Sequence, residues 1–212
     1  MKLWREYWGF ALFVVLMVLF RSALADWNTV PTGSMKPTIL EGDRILVNKL
    51  AYDLNVPLTH VSVLRFADPR RGDIVVFDSK AAGTRLVKRV IGLPGDIVEM
   101  RDNRVRINSV EAHYSNVEHT AAAIFAVESY AGMTHRIRLQ RAGASELSSF
   151  GPVRVPPGHY LVLGDNRDNS ADSRVHGFIP RGEIVGNART VVLSVDYDRY
   201  YLPRMDRFFR DL

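Results

Sequence analysis

From residue 44 to residue 194 the sequence is cut into short runs of β-branched and other apolar residues by Gly-Asp and Pro-Gly pairs, a punctuation that leaves no room for long helices. The runs predict strands at 44–47, 73–77, 84–91, 97–100, 104–107, 135–139, 159–163 and 190–194. Such spacing argues for a mostly β fold. Between residues 101 and 157 polar and alanine-rich stretches take over, which reads as a smaller inserted subdomain. A chain of 212 residues is long enough for one sizeable core beside it.

The start of the chain has a different character. Lys2 and Arg5 precede an apolar run from Tyr7 to Phe20, followed by Arg21, Ser22 and the small-x-small triplet Ala23-Leu24-Ala25. Taken alone, the segment reads as a secretory signal peptide. Counted through Arg21, whose long side chain can snorkel, residues 7–25 also make a helix of roughly 28 Å, just enough for a hydrocarbon core of about 30 Å. Either way the basic residues stay in the cytoplasm and the rest is sent outward. The organisation expected is therefore a cytoplasmic N-terminus over 1–6, a transmembrane anchor over 7–25, a β-domain over 26–100 and 158–195, an insert over 101–157 and an aromatic, Arg-rich tail over 196–212.

Composition narrows the chemistry. No cysteine is present, so there is no disulfide, thiol or zinc–thiolate site, and neither a metal nor another cofactor is expected. The net charge of +5 is spread along the chain rather than gathered into one basic tract. That fits an anionic bilayer surface better than nucleic acid.

Ser34 stands in the stretch Pro31-Thr32-Gly33-Ser34-Met35-Lys36-Pro37-Thr38. A serine hydroxyl needs an adjacent base to act as a nucleophile at neutral pH. Of the histidines, His60, His113, His119, His135 and His159 lie outside motif-like clusters, and His176 only trails one. Among the few lysines, Lys88 is set apart by its run Leu86-Val87-Lys88-Arg89-Val90-Ile91, where period-two alternation puts Leu86, Lys88 and Val90 on one face. Burial disfavours the charged amine. An unperturbed lysine is neutral in roughly one molecule in 2,500 at pH 7, a handicap of about 4.6 kcal/mol that desolvation has to reduce. The bland alternative is an edge lysine snorkelling to water.

The polar run Gly164-Asp165-Asn166-Arg167-Asp168-Asn169-Ser170-Ala171-Asp172-Ser173-Arg174 can be read as a solvated turn after the apolar run 160–163. It is no calcium loop, because counting from Asp165 the sixth position is Ser170 rather than glycine and the twelfth is His176 rather than glutamate.

Taken in order, the Ser34 segment, Gly42-Asp43-Arg44-Ile45-Leu46-Val47, Arg71-Gly72-Asp73-Ile74-Val75-Val76-Phe77, Lys88-Arg89-Val90-Ile91-Gly92-Leu93-Pro94-Gly95-Asp96 and the Gly164–Arg174 run resemble the type I signal peptidases, the bacterial serine-lysine leader peptidases. The resemblance spans residues 30–195. It implies the antiparallel signal-peptidase β fold with a small inserted subdomain and one N-terminal transmembrane helix, where many relatives have two. Ser34 would be the nucleophile, Lys88 the general base and Ser170 the hydroxyl orienting the lysine, with Asp172 and Arg174 paired behind it. Thr32 would join the Ser34 N–H in the oxyanion hole, in place of the commoner serine.

Val30, Pro31, Met35, Ile39, Leu86 and Val87 would line shallow pockets for a substrate strand cleaved after Ala-x-Ala. The implied partners are preproteins and the lipid bilayer, for a monomer on the periplasmic side of the inner membrane. Three other readings share some of these features: a pilin- or conjugation-type peptidase, a non-enzymatic secreted β-domain with a cleaved signal peptide, and self-cleaving repressors, which lack a leading apolar segment. In the tail, Pro203 followed by Met205, Phe208, Phe209 and Leu212 at helical spacing predicts a short interfacial helix. The competing expectation is that these side chains pack back on the β-domain.

Overall fold

The structure is a computed structural model that describes residues 2–23, 25–55, 62–141, 143 and 145–212. Helix α1 (Lys2–Ala23) leads into β1 (Ala25–Thr29), which pairs antiparallel with β2 (Asp43–Asn48). After the hairpin of β3 (Asp53–Asn55) and β4 (Ser62–Arg65) come β5 (Ile74–Ser79) and β6 (Thr84–Gly92). Next are β7 (Ile97–Arg101), β8 (Arg104–Ile107), β9 (Val110–Glu111), β10 (His113–His119), β11 (Ala123–Tyr130), β12 (Met133–Gln140) and β13 (Phe150–Arg154). The chain closes with β14 (His159–Leu163), the single-turn helix α2 (Ser173–His176), β15 (Ile179–Pro180), β16 (Ile184–Asp196), β17 (Leu202–Pro203) and β18 (Arg210–Asp211).

The main sheet has the order β1-β2-β16-β5-β6-β14-β15, with β17 and β18 also on β16. Its central strand β5 is buried on both faces, Ile74 and Val76 packing with Ile45, Val47 and Val191 while Val75 and Phe77 pack with Val90, Val162 and Ile184. This follows from the period-two alternation of a strand in a Val/Ile-rich run. Each such side chain contributes roughly 1.5–3 kcal/mol on burial. Strands β13-β7-β8-β9 form a second sheet and β10-β11-β12 a third. A third cluster, with Ile91, Leu161 and Leu163 from the main sheet and Val98, Met100, Val105, Ile107 and Met133 from the other two, holds the three together.

All the strands expected from the sequence occur, in β2, β5, β6, β7, β8, β12, β14 and β16, with β5 starting at Ile74 rather than at residue 73. The polar and alanine-rich stretch after residue 101 also carries β9, β10, β11 and β13.

The expected tail helix is not formed. Tyr201–Leu212 contains one 3-10 turn, Met205–Arg207, between β17 and β18, both hydrogen-bonded to β16. Side-chain anchors explain the choice: buried Arg207 makes a two-pronged ion pair with buried Asp43, and Leu212 packs against the Ile45–Val191 cluster. Ladder bonds plus a buried pair outweigh the weak drive of a one-turn helix.

At the other end, Tyr7–Phe20 carries no charge, but Lys2, Arg5, Glu6 and Arg21 stand at the two ends of α1. Among the described residues no helix is long and apolar enough to cross a membrane. Leu24, within both the anchor and the Ala23-Leu24-Ala25 triplet, lies outside the described residues, as does His60.

Candidate active site

The site forms where the turn after β1, strand β6 and the loop after β14 converge. Ser34 is the middle residue of a 3-10 turn, Gly33–Met35, closed by the Lys36 N–H donating to the Gly33 carbonyl (3.1 Å). The turn is tied inward by the buried side chain of Met35, while Ser34 keeps partial exposure. Lys88 comes from β6, opposite Val75 of β5, with Leu86 and Val90 two residues away on the same face and packed in the Phe77 cluster.

Lys88 Nζ lies 2.7 Å from Ser34 Oγ, and Lys88 is only 2% exposed. Burial pushes its amine down to about 8, against the pull of Asp172 and Asp165 toward the charged form. That makes roughly one molecule in ten neutral at pH 7. The snorkelling alternative fails because the amine has been taken out of water. None of the described histidines hydrogen-bonds Ser34.

The loop 164–174 is a wall of the site rather than a solvated turn. Asp172 Oδ2 accepts the Gly164 N–H (2.9 Å), and Arg174 grips both Asp172 oxygens at 2.8 and 2.7 Å. Arg174 also donates to the carbonyls of Leu147 and Arg167, so the expected Asp172–Arg174 pair locks the loop's path. Gly164 sits so close to the Ser34 carbonyl and to Ser170 that a Cβ there would overlap both. Ser170 Oγ is buried beside this point with no hydrogen-bond partner, so the bond to Lys88 that the resemblance implies is not made in this state. Thr32 is exposed at the N-cap of the turn, and its side chain makes no capping bond.

Of the six residues expected to line substrate pockets, Val30, Met35 and Ile39 are buried in the core. Pro31 is exposed and Leu86 and Val87 are half-buried, so these three offer surface to a peptide.

Several residues without an expected role hold the site from behind. Asp165 is buried, receives two hydrogen bonds from Arg89 (2.9 and 2.7 Å) and one from Thr38 Oγ1 (2.5 Å). Burial opposes its ionisation, but the Arg89 guanidinium outweighs this and holds the carboxyl below its usual range. Asn166 donates from its backbone to the Ser34 carbonyl (3.0 Å) and from Nδ2 to the Gly33 carbonyl (2.9 Å). Further back, the Arg167–Glu128 pair is fully buried, and His135 lies with its Nε2 3.5 Å from Glu128 and 3.7 Å from Asp165. Burial pushes this imidazole down to about 4, with Asp165 and Glu128 opposing and Arg89 and Arg167 adding to the shift. Asp165 and Asn166 belong to the motif run, but nothing in their spacing shows which backbone they reach. Among the described residues no group of His, Cys, Asp or Glu could hold a metal ion.

The family model described as "Signal peptidase, peptidase S26" matches residues 4–193. The chain is 38% identical over 199 residues to signal peptidase I of Pseudomonas fluorescens, covering 86% of this chain and 69% of that protein. It is 34% identical over 198 residues to signal peptidase I of Pseudomonas aeruginosa, with the same two coverages. It is 34% identical over 187 residues to signal peptidase I T of Bacillus subtilis, covering 87% of this chain and 83% of that protein.

Proposed function

Since the chain belongs to the signal peptidase family, peptidase S26, and is a serine peptidase, we propose that it removes signal peptides from exported preproteins with Ser34 as nucleophile and Lys88 as general base. The observation that carries this reading is the 2.7 Å approach of Lys88 Nζ to Ser34 Oγ in a dry site. Neutral Lys88 takes the Ser34 proton as Oγ attacks the scissile carbonyl, and the amine then protonates the leaving amino group. The Ser34 N–H and the Thr32 hydroxyl meet the developing oxyanion. Water, deprotonated by Lys88, releases the acyl chain. Ser170 reaches Lys88 once substrate closes the site, consistent with a hydroxyl that is buried but unbonded without it.

The substrate runs as an extended strand past Pro31, Leu86 and Val87, with the buried Val30, Met35 and Ile39 forming the floor beneath; shallow room of this kind selects alanine-like side chains at alternate positions. Residues 7–25 hold the enzyme in the plasma (inner) membrane, N-terminus in the cytoplasm and catalytic region outside. In support, the described apolar side chains Tyr7, Phe10, Phe13 and Leu16 of α1 are all exposed. The test is incubation of the detergent-solubilised protein and its Ser34→Ala variant with a preprotein. A product beginning after Ala-x-Ala, made only by the parent, is expected; equal cleavage by Ser34→Ala would sink the reading.

A further inference from the structure

We infer that Asn166 is a positioning residue that aims the Ser34 N–H at the reacting carbonyl, and that Arg138 of the three-stranded sheet holds the Asn166 side chain in the orientation this requires. The inference rests on the proposed nucleophile and oxyanion roles of Ser34. A trans peptide is planar, with its C=O and N–H pointing in opposite directions. Fixing the Gly33 carbonyl therefore fixes the direction of the Ser34 N–H. That carbonyl accepts from Lys36 N (3.1 Å) and from Asn166 Nδ2 (2.9 Å), and the next carbonyl, Ser34's own, accepts from Asn166 N (3.0 Å). One residue thus pins the peptide planes on both sides of the nucleophile.

A carboxamide can be turned end for end at almost no internal cost, which would bring Oδ1 against the Gly33 carbonyl, acceptor to acceptor. Arg138 removes that option. Its Nη1 donates to Asn166 Oδ1 (3.0 Å), and a guanidinium has only donors to offer, so Oδ1 must face Arg138 and Nδ2 must face Gly33. Arg138 is itself held by β12: its N–H donates to the Asp165 carbonyl (2.8 Å), and Arg138 and Asn166 form an isolated parallel bridge. Asn166 is 1% exposed, so water cannot replace a lost partner. Through this contact the inserted sheet, remote in sequence from both Ser34 and Lys88, takes part in aligning the oxyanion donor.

The test is steady-state kinetics on a preprotein with Asn166→Leu, Arg138→Met, Arg138→Lys and the double variant Asn166→Leu/Arg138→Met, each checked for melting temperature. Loss of a well-aimed oxyanion donor lowers kcat on the order of a hundredfold. Asn166→Leu is expected to approach that loss with KM within about twofold and an unmoved pH–rate midpoint, because Lys88 is untouched. Arg138→Met should lose roughly tenfold in kcat and Arg138→Lys, which keeps a donor, should regain most of it. The double variant should be no slower than Asn166→Leu, since Arg138 acts only through Asn166. Effects that multiply in the double variant overturn the inference, and unchanged kcat in Arg138→Met overturns it even if Asn166→Leu fails to fold. Cleavage surviving Ser34→Ala would instead remove the proposed function beneath it.

Discussion

Lys88 Nζ and Ser34 Oγ lie 2.7 Å apart although 54 residues of chain separate them. At this distance a charged lysine donates to the hydroxyl and a neutral one accepts its proton, so in the proposed mechanism the same contact serves rest and reaction. Ser34→Ala and Lys88→Ala are expected to lose preprotein cleavage on the order of a thousandfold or more with melting little changed. Lys88→Arg should be as inactive, because a guanidinium does not give up its proton. Appreciable turnover by Lys88→Arg would rule out the lysine base.

Because burial has brought the Lys88 amine down to about 8, kcat/KM should rise with pH as the neutral form fills and level off above that value. The direction is fixed by the neutral amine being the active form. A pH–rate profile that still climbs at pH 10 would mean the amine is hydrated in the working enzyme.

Gly164→Ala tests how tightly the nucleophile turn is pressed against the 164–174 loop. The added methyl would overlap both the Ser34 carbonyl and Ser170, so one of them must move. We expect kcat to fall at least tenfold, since small displacements at a reacting centre cost heavily. Wild-type kinetics in Gly164→Ala would mean the turn yields freely.

His135 stays neutral in the folded protein down to about pH 4, whereas an unfolded chain protonates it near 6.5. The unfolded state therefore binds more protons between those values, and stability falls as pH drops through that window, by up to about 3 kcal/mol at its lower end. His135→Phe should flatten that slope in denaturant titrations from pH 7 to pH 4. An unchanged slope would assign the acid sensitivity to other groups.

Deleting residues 201–212 should lower the melting temperature by roughly 10 °C, and Arg207→Ala should cost about 3–5 kcal/mol by leaving Asp43 buried without its partner. Truncation with unchanged melting would show that the ladder on β16 contributes nothing.

Sequence reading reached the strands that bury a face. In residues 74–77 of β5 and 160–163 of β14 every side chain is apolar and enclosed, so the local pattern and the tertiary environment agree. It passed over β10, whose His113-Tyr114-Ser115-Asn116-Val117-Glu118-His119 is partly or wholly exposed and interrupted by a bulge, because an edge strand owes its form to its neighbour. That Ser34 and Lys88 belong together was legible from their chemistry, since a serine expected to act as nucleophile without a histidine needs another base, and the structure brings the two into contact. Asn166 and Arg138 were not: an amide clamp depends on which backbone carbonyls a loop meets after folding, and two residues 28 positions apart carry no sign of it. The tail misled for a related reason, because its helical spacing of apolar residues ignores the open flank of β16 waiting for partners.

That long strand also decides how the two sides of the candidate site are joined. β16 lies between β2, which follows the Ser34 turn, and β5, the partner of the Lys88 strand. β16 is thus the strand through which the sheet joins the Ser34 side to the Lys88 side, so a change that loosens β16 would part the two groups of the 2.7 Å contact without touching either.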